Sequence, residues 1–121
     1  MSQEFRRVHR HPIAELVPVT DTMTDHVVGQ LGNLSETGML LIANKGLADD
    51  ALYQFRFNLS VPGEPVTTIE AGAHVLWQEQ ESASGQTWIG LRFITLLDSQ
   101  LTQLQRWLQL NRAKTGFAAR R

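Results

Sequence analysis

The sharpest alternation in the chain is "LYQFRFNLS", residues 52–60. Tyr53, Phe55, Phe57 and Leu59 fall on one side of an extended backbone, and Gln54, Arg56 and Asn58 fall on the other. A period of two marks a strand with one buried face. The same reading predicts a strand at "WIGLRFITL", residues 88–96, with Ile89, Leu91 and Phe93 on its inner face. It predicts another at "TTIEAGAHVLWQEQ", residues 67–80, bent near Gly72, with Trp77 two positions from Val75 and so on the same face. "MLLIA", residues 39–43, reads as a short buried strand. "HVVGQLGNLS", residues 26–35, reads as a strand whose Gly29 and Gly32 mark a bulge or a close backbone approach. Residues 13–19 are apolar and extended, with Pro18 confining them to an edge or a bend. Turn-forming stretches separate these segments: "SETG", "VPGEP" and "ESASGQT".

The period changes only once. From Asp98 to about residue 114, Leu101, Leu104, Trp107 and Leu108 recur at helical spacing, with Leu110 beside them. Asp98 or Ser99 can cap the start, Arg112 and Lys114 suit the negative end of the helix dipole, and Gly116 stands where a helix stops. Six short strands followed by one amphipathic helix predict a mainly β fold, a small six-stranded antiparallel barrel with a C-terminal α-helix. The chain divides into a flexible basic arm at residues 1–11 and a single barrel domain at residues 12–116.

Composition narrows the function classes. With 121 residues and 42% apolar positions the chain can bury one core. It contains no cysteine, which removes disulfides, thiol nucleophiles and thiolate metal sites. A formal net charge of −1 argues against a binder of nucleic-acid polymers. No apolar run is long enough to span a membrane, and no apolar segment follows the N-terminal charges as in a signal peptide, so a cytoplasmic location is expected. His9 and His11 lack a third metal ligand at a recognisable spacing. The hydrolase elbow, phosphate-binding loop and dinucleotide fingerprint are missing, so no enzyme is expected.

Two motifs carry candidate chemistry. "FRRVHRHP", residues 5–12, gathers three arginines in an otherwise nearly neutral chain. Arg6 and Arg10 are four apart and share a face in either an extended or a helical backbone. Their planar forks suit phosphate oxygens or the O6/N7 edge of guanine, and Arg7 can reach a second part of the same ligand. A solvated basic tail is the simpler account of this stretch. "NLSETG", residues 33–38, places Asn33 and Ser35 two apart, hence on one strand face, with Gly38 free to take a positive φ or to admit a ligand closely. An ordinary hairpin turn uses the same residue types. Trp77 is either a core side chain or a stacking wall for a base.

Together, an Arg-x-x-x-Arg arm and an Asn-x-Ser-x-x-Gly turn in a barrel with a C-terminal helix resemble the PilZ domain family. "GLRF", residues 90–93, is similar to the family's last-strand pattern. The resemblance implies a non-catalytic receptor for cyclic di-GMP, without a cofactor. An ordered N-terminal arm would signal to a protein partner. It implies that Arg6, Arg7 and Arg10 meet phosphates and guanines, that Asn33 and Ser35 hydrogen-bond to a guanine, that Gly38 keeps the turn open, and that Trp77 stacks. Asn33 stands where the family often has Asp. Phe5, an apolar residue before the first arginine, is associated in the family with a single ligand per chain. The alternative within the same fold is a protein-interaction module that does not bind the nucleotide.

Overall fold

The alternating segments pair into antiparallel ladders that close on themselves. In the computed structural model, residues 11–12, 16–61 and 63–115 are described, with side chains described for 16–61 and 63–111. The elements are β1 (His11–Pro12), β2 (Pro18–Asp21), β3 (His26–Leu34), β4 (Gly38–Ala43), β5 (Leu52–Leu59), β6 (Thr67–Glu81), β7 (Gln86–Leu96) and α1 (Asp98–Thr115). Around the sheet the order is β3–β2–β5–β6–β7–β4, and β4 pairs back onto β3. The result is a closed six-stranded antiparallel barrel with one C-terminal helix, the architecture that the residue pattern predicts.

Of the strand predicted at residues 13–19, Pro18 and Val19 open β2, while β1 is formed by His11 and Pro12, which the sequence pattern assigns to the end of the arm and the proline that follows it. Both strands run antiparallel to β3: Pro18 and Val19 stand opposite Gln30 and Gly29, while His11 and Pro12 stand opposite Leu34 and Asn33. Between them the Leu31 N–H donates to the Val17 carbonyl at 2.9 Å. Proline explains the fit at Pro18. It opens β2, and β5 takes up pairing only at Thr20 and Asp21, so its missing donor leaves no gap in that ladder.

The inward face of each strand supplies the core. Val19, Leu31, Leu34, Met39, Leu41, Phe55, Phe57, Ile69, Val75, Ile89 and Leu91 are buried. Tyr53 stacks on Phe55 at 5.4 Å between ring centroids. The helix closes one end of this lumen. Leu104 is fully buried and Leu108 nearly so, both within the same cluster as Phe55 and Leu91.

Polar contacts fix where the helix lies. The Gln100 side-chain carbonyl accepts the Glu70 N–H at 2.7 Å. The Gln105 amide donates to the Glu36 carboxylate at 3.1 Å, and the Trp107 indole N–H donates to the Ser60 carbonyl at 3.1 Å. The covered end is therefore the one that carries the β3–β4 turn. At the opposite end, Gln78 stands in for a backbone partner. Its side chain accepts the Leu47 N–H and donates to the Leu47 carbonyl, each at 2.8 Å, which pins the segment between β4 and β5.

Candidate functional site

Two strand irregularities decide which residues share the outer surface. In β3, Leu31 stands opposite Leu41 and Asn33 opposite Leu40, so Gly32 is an extra residue. In β6, Val75 stands opposite Leu91 and Trp77 opposite Gly90, so Leu76 is an extra residue. A bulge breaks the period of two and re-aims the side chains beyond it. Trp77 is thus not on the face of Val75, as strict alternation predicts. Val75 points into the core, and Trp77 lies half-buried on the outside.

Residues directly opposite in a ladder point to the same side. One row therefore crosses the outer face, Asn33 beside Leu40, Leu40 beside Gly90, and Gly90 beside Trp77, and the backbone of Pro12 pairs with Asn33 at its end. At about 4.8 Å per step the four steps measure roughly 19 Å along the surface. The Trp77 indole leans back across Gly90. A Cβ placed on Gly90 would sit 2.3 Å from two indole atoms, so glycine is what lets the ring lie flat on β7. The Asn33 amide makes no hydrogen bond to any described residue, and neither does the Trp77 indole N–H.

The turn after Asn33 is tightly built. Ser35 lies beyond the end of β3, not on a strand face with Asn33, and is buried. Its hydroxyl accepts the N–H groups of Thr37 and Gly38, each at 3.2 Å, and its own N–H donates to the Gly38 carbonyl at 2.9 Å. The Phe93 N–H donates to the Thr37 carbonyl at 2.8 Å, tying the turn to β7. Gly38 opens β4 without a positive φ; among the described glycines that conformation belongs to Gly63 and Gly85. Arg92 faces Gly38 across the β4–β7 ladder and His74 across the β6–β7 ladder, so it borders the row. The His74 ring is within 2.6 Å of the Asp50 carboxylate.

Of the residues singled out in the sequence, Asn33 and Trp77 come together on this face, and Ser35 and Gly38 shape the turn at its edge. Arg6, Arg7 and Arg10 lie outside the described residues. Arg10 precedes His11, which is paired at the Asn33 end of the row. Leu40, Gly90 and Arg92 complete the face. The alternation in "WIGLRF" sets Gly90 and Arg92 on one side, opposite Leu91, and a glycine within a strand is itself a sign of close approach. No group of three potential metal ligands occurs among the described residues, and no described helix is long and apolar enough to cross a membrane.

A family model described as PilZ domain matches residues 3–110. No curated protein sequence matches the chain. Among solved structures, the Bacillus subtilis inhibitor of motility MotI/DgrA superposes with a TM-score of 0.71 at 16% identity, over 92% of this chain and 53% of that one. YcgR of Escherichia coli in complex with c-di-GMP superposes with a TM-score of 0.69 at 19% identity, over 95% of this chain and 50% of that one. The PilZ domain of YcgR with c-di-GMP gives 0.61 at 17% identity, over 92% and 97%. The chain spans about half the length of the first two. At these identities the likeness is one of fold.

Proposed function

The chain belongs to the PilZ domain family, and on that premise we propose that it is a non-catalytic, cytoplasmic receptor for cyclic di-GMP that signals to a protein partner. In this reading Arg6, Arg7 and Arg10 close over the ligand's phosphates and guanine edges. Asn33 hydrogen-bonds to a guanine through its open amide, and Trp77 offers a ring face for stacking. Ser35 and Gly38 contribute by holding the turn. The ligand carries two phosphates, and each charge-assisted hydrogen bond to them contributes about 1.5–3 kcal/mol.

The observation that carries the reading is the surface row from Pro12 to Trp77. It runs from the strand next to the arginine motif, past an amide with no partner among the described residues, to a half-buried aromatic plane on the outer face. The span is compatible with the arm. Arg6 is five positions before His11, a reach of up to about 17 Å when extended. Ordering of the arm by a dianion then changes the surface offered to a partner.

Calorimetric titration with cyclic di-GMP tests the proposal. Binding at micromolar ligand is expected, weakened on the order of a hundredfold or more by Arg6→Ala together with Arg10→Ala. Absence of binding to the unaltered chain, or equal binding by the double variant, would refute it.

A further inference from the structure

At the barrel end opposite the helix, a cleft of about 630 Å³ opens between the β2–β3 turn, the outer parts of β3 and β4, and the segment after β4. Its apolar floor includes Val28, Ile42 and Leu47. Its polar side chains are Thr24, His26, Gln30, Asn44, Lys45 and Gln86. All six can donate a hydrogen bond, and none of the lining residues is a carboxylate. None of the six side chains makes a hydrogen bond or ion pair to a described residue.

The distribution of positive charge makes the cleft distinctive. Arg56 pairs with Asp25, Arg106 with Glu64 and His74 with Asp50, and Arg92 is also engaged. Lys45 and His26 are the two basic side chains, among those described, that have no such partner, and both line this cleft. Asp25, the chain neighbour of Thr24 and His26, is drawn off by Arg56 at 3.4 Å.

We propose that this cleft binds a small organic phosphate, independently of the Pro12–Trp77 row. Lysine meets phosphate as a point charge, and a ring of neutral donors suits an anion with three or more acceptor oxygens better than a carboxylate with two. The volume is that of a site for a nucleotide-sized molecule, whose apolar body would rest on Val28, Ile42 and Leu47. Asn33 and Trp77 do not line it, so the two sites share no ligand-facing residue.

The test is an amide NMR titration of the full chain with adenosine 5′-monophosphate, adenosine and inorganic phosphate in separate arms. Adenosine 5′-monophosphate should give saturable shifts centred on Gly29, Gly46 and Leu47, with inorganic phosphate binding more weakly and adenosine not at all. Lys45→Glu, a surface change, should weaken binding at least tenfold, and the Arg6→Ala plus Arg10→Ala variant should bind as the unaltered chain does. No saturable shift at millimolar nucleotide, equal binding by Lys45→Glu, equal affinity for inorganic phosphate, or shifts centred on residues 33–38 would each overturn the assignment.

Discussion

Asn33 and Ser35 sit two positions apart and do different work. The Ser35 hydroxyl holds two backbone N–H groups inside a buried turn, whereas the Asn33 amide has no described partner. Removing the hydroxyl strands those donors, at a cost of about 1–3 kcal/mol. Ser35→Ala should therefore lower the free energy of unfolding measured in urea by that amount and weaken ligand binding as the turn loosens. Asn33→Ala should weaken binding while leaving the midpoint nearly unchanged. Equal stability losses in both variants would contradict this division. The residue types at these positions were legible in the sequence, but their orientations were not. Counting by twos puts Ser35 beside Asn33 and Trp77 beside Val75. A single extra residue at Leu76 reverses the second assignment, and the end of β3 at Leu34 removes the first. Bulges depend on how neighbouring strands pair, which no local pattern records.

At the scale of elements, the helix is held to the barrel by buried leucines and by an ion pair at its rim. Arg106 forks onto Glu64 in the β5–β6 connection, with one of its two contacts at 2.8 Å. The hydrogen bond from Arg106 holds the Glu64 carboxyl below its ordinary pKa, against an opposing effect of desolvation and with a lesser contribution from the Arg106 charge. A carboxylate favoured in the folded state adds stability above its unfolded pKa and loses it as pH falls through the folded one. The pair lies in solvent, so that contribution is small. In Arg106→Gln, the Glu64 carboxyl should titrate at higher pH than in the unaltered chain, with the barrel intact. An unchanged midpoint in a carbon-13 titration would show that the pair does not form in solution. The helix itself was readable from Leu101, Leu104, Trp107 and Leu108, because helical spacing survives wherever the helix docks. Its seat on the β3–β4 turn was not readable, since Gln105 and Glu36 are 69 residues apart.

For the whole molecule, the barrel has no free long edge on which part of the structure could melt alone. β4 returns to β3, and Leu104 completes the core from the helix side. Helix and barrel should therefore unfold in one transition. Denaturant curves followed by far-ultraviolet circular dichroism and by tryptophan fluorescence should coincide, since Trp107 reports the helix and Trp77 and Trp88 report the barrel. Separate midpoints would show that the helix docks as an independent unit. The strand number and fold class were legible because Phe55, Phe57, Ile89 and Leu91 alternate so cleanly. Which pair of strands seals the ring was not, because the β3–β4 pairing that does so looks in sequence like any hairpin.

The two-residue ladder that sets His11 and Pro12 against Leu34 and Asn33 works as a tether point. In the proposed receptor, the preceding arginines act from a fixed post at the rim of the face. On that proposal their encounter with a seated ligand would be intramolecular, at an effective concentration in the millimolar range for so short a leash. Lengthening the leash, by inserting flexible residues between Arg10 and His11, dilutes the arginines without touching a single contact.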